Sequence, residues 1–188
     1  LAIEQLQEAN AQLHEIAIRD YLTGCFNRRH FYTLAEPELA RAQRHDTPLS
    51  LLIFDLDHFK QVNDTYGHAC GDAVLCQAVE VIQEHLRISD ALARIGGEEF
   101  VVLLPETELE QAHLLAERLR KAIAEHPFEQ AGQQRIDVTA SWGLASARPD
   151  DADVDALLAR ADRGLYVAKN SGRNRVGLED PEPETRVM

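Results

Sequence analysis

The sequence predicts an α/β protein, more closely an α+β sandwich in which helices surround a central, mostly antiparallel sheet. Short apolar runs typical of buried strands alternate with longer segments of helical periodicity. Two of these strands flank Gly96-Gly97, a dipeptide favoured in tight hairpins. From Leu49 onward the elements follow the order β-α-β-β-α-β-α-β, which contains the split βαβ arrangement of a βαββαβ core.

The N-terminal segment, residues 1–19, is predicted to form a linker helix. It has a repeat typical of a coiled-coil seam, in which successive positions are spaced alternately by three and four residues. These positions are Ile3, Leu6, Asn10, Leu13 and Ala17. An amide in such a seam, here Asn10, can set the register between two helices. Because fewer than three heptads are present, the pattern fits two arrangements equally well: a coiled-coil stalk, or a helix packed on its own domain.

The remaining elements follow from periodicity. We predict helices at residues 31–45, 71–86, 109–126 and 154–170, and strands at residues 49–56, 91–95, 99–105, 135–146 and 175–178. The chain therefore divides into the linker helix, one domain over residues 20–178, and a polar, disordered tail over residues 179–188.

Composition excludes some classes of function. The net charge of −13 disfavours binding to nucleic acid or to an anionic membrane, so an anionic substrate needs metal ions or a few local cations. No run approaches the roughly 18 apolar residues of a membrane span, and the start does not read as a signal peptide. The three cysteines form no metal-binding spacing and indicate a reducing compartment. We expect a cytoplasmic protein without a nucleic-acid partner, and no membrane contact in this segment.

Acidic residues at two strand ends suggest a metal site. Asp55 and Asp57 stand at the end of the strand at 49–56, and Glu98 stands at the hairpin tip. In a βαββ unit these two places can lie side by side, so Asp55 and Glu98 can converge on one site. Carboxylate oxygens suit Mg²⁺ or Mn²⁺, which usually share their coordination shell with phosphate oxygens. The glycines before Glu98 permit φ > 0 and close approach of a ligand to the backbone.

Four motifs resemble those of one known family. "RDYLTGCFNRRHF", "FDLDHFKQVNDTYGHACGD", "RIGGEEF" and "LYVAKNSGRNRV" occur in the order and spacing of the GGDEF domain of bacterial diguanylate cyclases, over about residues 20–178. The resemblance implies a nucleotidyl-cyclase, ferredoxin-like fold. It also implies condensation of two GTP into cyclic di-GMP and two pyrophosphates, with two domains apposed as a homodimer.

The resemblance implies roles for the acidic residues. Asp55, the main-chain carbonyl of Leu56, and Glu98 would bind metal, with two Mg²⁺ or Mn²⁺ ions per active site. Glu98 would also activate the 3′-hydroxyl that attacks the α-phosphate of the other GTP, and Glu99 would support it near the metal.

The resemblance further implies a substrate site and a product site. Asn63 and Asp72 would bind guanine, and the other substrate-binding residues would be Phe59, Lys60, His68, Gly96, Gly97, Lys169 and Arg173. Lys169 and Arg173 would contact the β- and γ-phosphates, although cations at a helix C-terminus have a simpler electrostatic explanation. The RxxD pair Arg87 and Asp90 resembles the inhibitory site for cyclic di-GMP, completed by Arg118 or, as the second choice, Arg120.

Two departures from the family pattern lie outside these ligands. Trp142 stands where a smaller aliphatic residue is usual, and Gly164 replaces the usual alanine, which is expected to weaken its helix by roughly 1 kcal/mol.

Three hypotheses follow for the function. The first is an active diguanylate cyclase, the second a receptor for GTP or cyclic di-GMP, and the third a dimerisation or signal-relay element based on the seam at residues 3–17. The intact GGEEF signature favours the first. We expect a sensory domain, and any membrane tether, to lie upstream of Leu1.

Overall fold

The computed structural model describes residues 1–130 and 135–179. Its helices are α1 (Ala2–Ile18), α2 (Arg28–His45), α3 (Phe59–Tyr66), α4 (His68–Gln83), α5 (Leu109–Glu125) and α6 (Val154–Asn170). Its strands are β1 (Phe26–Asn27), β2 (Leu49–Leu56), β3 (Ala91–Arg94), β4 (Glu99–Pro105), β5 (Ala140–Ser146) and β6 (Val176–Leu178).

The strands of the described residues form one sheet in the order β1-β3-β4-β2-β5-β6. The central strand, β2, pairs antiparallel with β4 on one side and with β5 on the other, and β3 pairs antiparallel with β4. Only the edge strands β1 and β6 pair in parallel. The predicted βαββαβ core and its mostly antiparallel sheet are therefore confirmed.

Helices cover both faces of the sheet. Successive residues of β2 alternate between two hydrophobic cores: Leu52, Phe54 and Leu56 pack with α4 and α5, whereas Leu51 and Ile53 pack with α2 and α6. This alternation explains why β2 reads as a continuous apolar run, since both of its faces are buried.

Trp142 belongs to the first of these cores. It is fully buried and stacks on Phe54, with 4.3 Å between ring centroids, and Phe54 stacks in turn on Phe100 at 5.1 Å. The three rings come from adjacent strands at matched register, because Phe54 pairs with both Phe100 and Trp142. The larger side chain therefore completes an aromatic row across the sheet.

The structure differs from the predicted elements in several places, among them the unpredicted strand β1 and the start of α2 at Arg28 rather than at residue 31. The single helix predicted at 71–86 is preceded by α3, and α4 begins earlier, after Gly67 with φ of 88°. Helix α3 was missed because it has only eight residues, about two turns, which is too short for helical periodicity to be recognised in the sequence. Strand β5 begins at Ala140 rather than at residue 135.

The N-terminal helix is exposed along its length. Helix α1 has no buried residue, so of the two arrangements left open by the sequence, a helix packed on its own domain is not the one observed. Four of its apolar side chains are more than 60% exposed: Ile3, Leu6, Leu13 and Ile16. Of the predicted tail, residues 180–188 lie outside the described residues, while Glu179 pairs with Arg163. No helix among residues 1–130 and 135–179 is long and apolar enough to cross a membrane.

Gly164 lies where α6 packs closely against the sheet. A Cβ at this position would stand 2.6 Å from the carbonyl oxygen of Gly177 on β6. The glycine therefore allows helix and strand to approach, and the expectation that it simply weakens α6 is incomplete. Its low helix propensity accompanies a close contact that alanine would disrupt.

We predict that Gly164→Ala destabilises the protein by about 1–3 kcal/mol, the usual cost of overpacking, although alanine is the better helix former. Urea denaturation would measure the free energy of unfolding. As a calibration in the same helix, Ala159→Gly at an exposed position should cost about 1 kcal/mol through propensity alone. A Gly164→Ala protein more stable than the parent would contradict the close-packing interpretation.

Candidate functional site

The register of β2 against β4 brings the predicted acidic residues together. Asp55 pairs directly with Glu99, and the Leu56 N–H donates to the Glu98 carbonyl at 3.4 Å. In an antiparallel ladder the N–H and C=O of one residue point to the same side, so the Leu56 carbonyl also faces the hairpin. The strand end and the hairpin turn therefore lie side by side, as the βαββ order predicted.

A lysine neutralises part of this acidic cluster. Lys169, in the last turn of α6, forms a 2.7 Å ion pair with Asp55. Burial raises the pKa of Asp55, Lys169 lowers it, and the charges of Glu98 and Asp57 raise it again, with a net upward shift. Burial also raises the pKa of Glu99, assisted by the negative charges of Asp162 and Asp55. The cluster thus favours a cation at Asp55.

Side chains alone supply only part of the oxygen ligands that a hard divalent cation needs at this site. Within the described residues, no group of three His, Cys, Asp or Glu side chains could hold a metal by itself. Asp55 and Glu98 would supply two carboxylates to such an ion, and the Leu56 carbonyl would add a main-chain oxygen. Such a sparse set of oxygens matches Mg²⁺, which usually completes its shell with water and substrate phosphates.

The hairpin turn has a different geometry from the tight two-residue turn expected. Both Ile95 and Gly96 donate their N–H to the Glu99 carbonyl, at 2.9 and 3.2 Å, so the loop spans residues 95–98. Neither Gly96 nor Gly97 has a positive φ, so the turn does not use the left-handed conformation that glycine permits. Nothing lies within 4 Å of the place where a Cβ of Gly97 would stand. At that residue the glycine leaves open space beside Glu98.

Arg94 holds this loop in place, a contact that the motif analysis missed. Its guanidinium donates to the carbonyls of Gly96 and Gly97, at 3.1 and 2.7 Å, and forms a 3.1 Å ion pair with Asp20. Burial raises the pKa of Asp20, but hydrogen bonds from Thr23 and Arg94 outweigh it and lower the pKa overall. The segment after α1 is thereby connected to the turn that carries Glu98.

The two residues predicted to bind guanine lie where α3 meets α4. The side chain of Asn63 on α3 packs directly against Gly71 on α4, so that a Cβ at residue 71 would overlap its amide oxygen. Asp72 is the next residue and is exposed. The absence of a side chain at Gly71 therefore sets the position of Asn63 beside Asp72.

The other predicted substrate residues surround this region unevenly. Phe59, the first residue of α3, is buried and belongs to the hydrophobic core. Lys60 and His68 are exposed, and neither side chain makes a hydrogen bond or an ion pair with the rest of the described chain. Arg173 lies in the turn after α6 with φ of 63° and is exposed. The structure leaves these three polar side chains free to meet a ligand.

The RxxD pair lines a separate cavity. Arg87 and Asp90 close a short turn, in which the Arg87 N–H donates to the Asp90 carboxylate at 2.8 Å. Arg118 on α5 faces the same cavity, which has a volume of about 240 Å³. Arg120 does not: its guanidinium donates to Asn174 at 3.0 Å in the turn after α6. Of the two arginines considered, the first choice is the one that lines the cavity.

Comparisons with known proteins identify the family. Residues 17–175 match the sequence profile described as "Diguanylate cyclase, GGDEF domain", and the chain belongs to this family. It is 42% identical over 163 residues to the response regulator PleD of Caulobacter vibrioides, covering 86% of this chain and 36% of PleD.

Solved structures agree with this assignment. The coiled coil and GGDEF domain of DgcB from Caulobacter crescentus, in complex with c-di-GMP, matches with a TM-score of 0.88 and 30% identity, over 94% of this chain and 93% of that one. The active GGEEF domain of a diguanylate cyclase from Vibrio cholerae matches with a TM-score of 0.77 and 37% identity, over 82% of this chain and 97% of that one. The expected nucleotidyl-cyclase, ferredoxin-like fold is confirmed.

The chain spans only part of the curated relatives. It matches 36% of the length of PleD, and 24% of the diguanylate cyclase DgcP of Pseudomonas aeruginosa, to which it is 44% identical over 160 residues, 85% of this chain.

If Asn63 binds guanine as the family resemblance implies, we predict that Gly71→Ala weakens guanine-nucleotide binding at least about tenfold, because the new methyl group would displace the Asn63 amide. Calorimetric titration with GMP would measure the dissociation constant. Combining Gly71→Ala with Asn63→Ala should add little to the loss caused by Asn63→Ala alone. Additive losses would show that Gly71 does not act through Asn63.

Proposed function

We propose that this chain is a diguanylate cyclase that condenses two GTP into cyclic di-GMP and two pyrophosphates. The observation that carries the proposal is the convergence of Asp55 and Glu98 at adjacent strand ends, with the Lys169 ammonium 2.7 Å from Asp55. This places anionic ligands for a metal beside a cation suited to phosphate. Membership in the GGDEF family, with an unaltered GGEEF signature, supports the same reaction.

Guanine recognition falls to Asn63 and Asp72. A carboxylate can accept hydrogen bonds from guanine N1–H and the N2 amino group, a pattern of donors that adenine lacks. An amide such as that of Asn63 can both donate and accept at the remaining edge of the base. We infer that the exposed Asp72 selects GTP over ATP. The packing of Asn63 on Gly71 would hold the Asn63 amide where it and the Asp72 carboxylate can bind the same guanine base.

The triphosphate would extend from the base toward the hairpin. The open space beside Gly97 lets a phosphate or ribose lie against the backbone. Lys169 and Arg173 contact the β- and γ-phosphates, and Lys60 lies near them. Arg94 donates hydrogen bonds to the carbonyls of Gly96 and Gly97, so that the loop keeps its shape when an anion approaches.

Asp55, Glu98 and the Leu56 carbonyl would hold Mg²⁺ or Mn²⁺, two ions per site. Bound there, the metal supplies charge neutralisation for an attacking and a leaving oxygen. Glu98 accepts the proton of the 3′-hydroxyl, and Glu99 has a supporting role near the metal. Lys169 pairs with Asp55 and balances its charge. This pairing offsets the charge of the half-buried Asp55 in a chain of net charge −13.

Two active sites must meet, because each GTP supplies the hydroxyl that attacks the other. We infer a homodimer joined through the exposed seam of α1, whose residues Leu6 and Leu13 are 62% and 64% exposed. The upstream sensory domain and the cytoplasmic location remain expectations of the same proposal.

We predict that Glu98→Gln lowers the rate of cyclic di-GMP formation at least about a hundredfold, since a neutral amide cannot take up the proton. Chromatographic separation of GTP and product would measure the rate in Mg²⁺. Glu84→Gln, an exposed change at the end of α4, should leave the rate unaltered. Parent protein that binds GTP without forming product would instead indicate a receptor.

We predict that replacing Leu6 and Leu13 by glutamate raises the dimer dissociation constant at least about tenfold, because charges would enter the apolar seam. Specific activity should then fall at low protein concentration and recover at high concentration. The matched control replaces Gln5 and Gln12, which directly precede the two leucines outside the seam. Equal effects of both pairs on light-scattering mass and activity would count against a stalk.

We predict that Arg87→Ala raises the product concentration needed for half-inhibition at least about tenfold, because it removes charge-assisted hydrogen bonds to cyclic di-GMP. The initial rate should stay the same, since Arg87 lies outside the acidic cluster. Progress curves at several product concentrations would measure both quantities. Lys121→Ala, exposed on α5 near Arg118, serves as the control, and unchanged inhibition in Arg87→Ala would refute the product site.

A further inference from the structure

Asp57 is a buried carboxylate to which the proposed reaction gives no role. Its side chain is 7% exposed and lies directly after β2, two residues beyond Asp55. One oxygen accepts from the Ser141 hydroxyl at 2.6 Å, and the other from the Thr139 hydroxyl at 2.7 Å. The second oxygen also accepts the backbone N–H of Asn174 at 3.0 Å. Hydrogen-bond donors of the protein therefore replace water around this acid.

The bond to Asn174 reaches a turn of unusual conformation. Gly172, Arg173 and Asn174 have φ of 113°, 63° and 44°, so three consecutive residues lie in the left-handed region. This conformation is unfavourable for the two residues that carry a Cβ, and it persists only where surrounding contacts hold it.

Contacts from several directions hold this turn. The Arg173 N–H donates to the Ala168 carbonyl at 3.0 Å, and Arg120 donates to the Asn174 side chain at 3.0 Å. Asp57 holds the backbone at Asn174, directly after the residue that we assign to the phosphates. No other described contact ties the backbone of Asn174 to the strand that carries Asp55.

We propose that Asp57 is a positioning residue, which holds the Asn174 backbone so that Arg173 presents its guanidinium to the β- and γ-phosphates at a fixed separation from Asp55. This inference rests on the role given to Arg173 in the proposed function. Asp55 and Asp57 share one strand end, so the metal ligand and the phosphate turn move as one unit. A carboxylate is suited to this position because its two oxygens can accept hydrogen bonds from all three donors, Thr139, Ser141 and Asn174.

The test compares two ligands that differ in the phosphates Arg173 contacts. Calorimetry in Mg²⁺ would give dissociation constants for 3′-deoxy-GTP, which lacks the attacking hydroxyl, and for GMP, which lacks the β- and γ-phosphates. Asp57→Ala should weaken the binding of 3′-deoxy-GTP about tenfold, as Arg173→Ala is expected to do. It should change the dissociation constant of GMP less than about twofold. Combining the two substitutions should add little to either alone.

Three further variants separate positioning from folding. Asp57→Asn keeps an oxygen for Asn174, and Ser141 can accept from its amide, so it should restore affinity for 3′-deoxy-GTP to within about twofold of the parent. Thr139→Val removes a donor to the same oxygen but spares the Asn174 bond, so the ratio of the two affinities should not change. If Asp57→Ala does not fold, Asp57→Ser replaces it, because its hydroxyl can bond Ser141 but is too short to hold Asn174.

The outcomes are distinguishable. Equal weakening of both ligands by the folded Asp57→Ala or Asp57→Ser protein would overturn the proposal in favour of a purely structural acid. An unchanged affinity ratio in these variants, with the expected loss in Arg173→Ala, would overturn the role of Asp57 alone. No selective loss in Arg173→Ala would overturn the phosphate assignment itself and the inference that rests on it.

Discussion

The antiparallel pairing of β2 with both of its neighbours is the constraint on which the rest of the site depends. One register places Asp55 opposite Glu99 on β4 and opposite Ser141 on β5. A shift by one residue would turn every side chain of β2 to the other face and exchange its two hydrophobic cores. The free energy of burying Leu52, Phe54 and their neighbours therefore also sets the separation of the acidic residues. The core stabilises the geometry of the site as well as the fold.

The ends of these strands concentrate negative charge in a protein that is already strongly acidic. Two cationic side chains offset it in different ways. Lys169 pairs with Asp55 directly, and its side chain is 36% exposed. Arg94 acts on the backbone: it binds the turn carbonyls and pairs with Asp20, in the segment after α1. Lys169 thus pairs with an acidic residue of the site, whereas Arg94 stabilises the turn itself.

Much of this arrangement could be predicted from the sequence. Strand β2 was placed at its observed bounds because six of its eight residues are apolar, all except Ser50 and Asp55, and such a short apolar run is typical of a buried strand. The convergence of Asp55 and Glu98 followed from element order alone. The contacts made by Arg94, Gly71 and Asp57 could not be predicted in this way, because each joins segments that are distant along the chain. A glycine next to Asp72 carries no sign that Asn63 will pack on it.

The sequence by itself determined which elements form, their order, and the family motifs that name the candidate ligands. Those properties depend on local periodicity and on residue types at short spacing, which one segment contains within itself. Only the tertiary structure decided that Arg118 and not Arg120 lines the RxxD cavity. It also decided that Gly164 accommodates a close helix–strand contact, and that Asp57 holds the turn after α6. Each of these outcomes depends on which way a side chain points once distant elements have packed, and local sequence does not specify that direction.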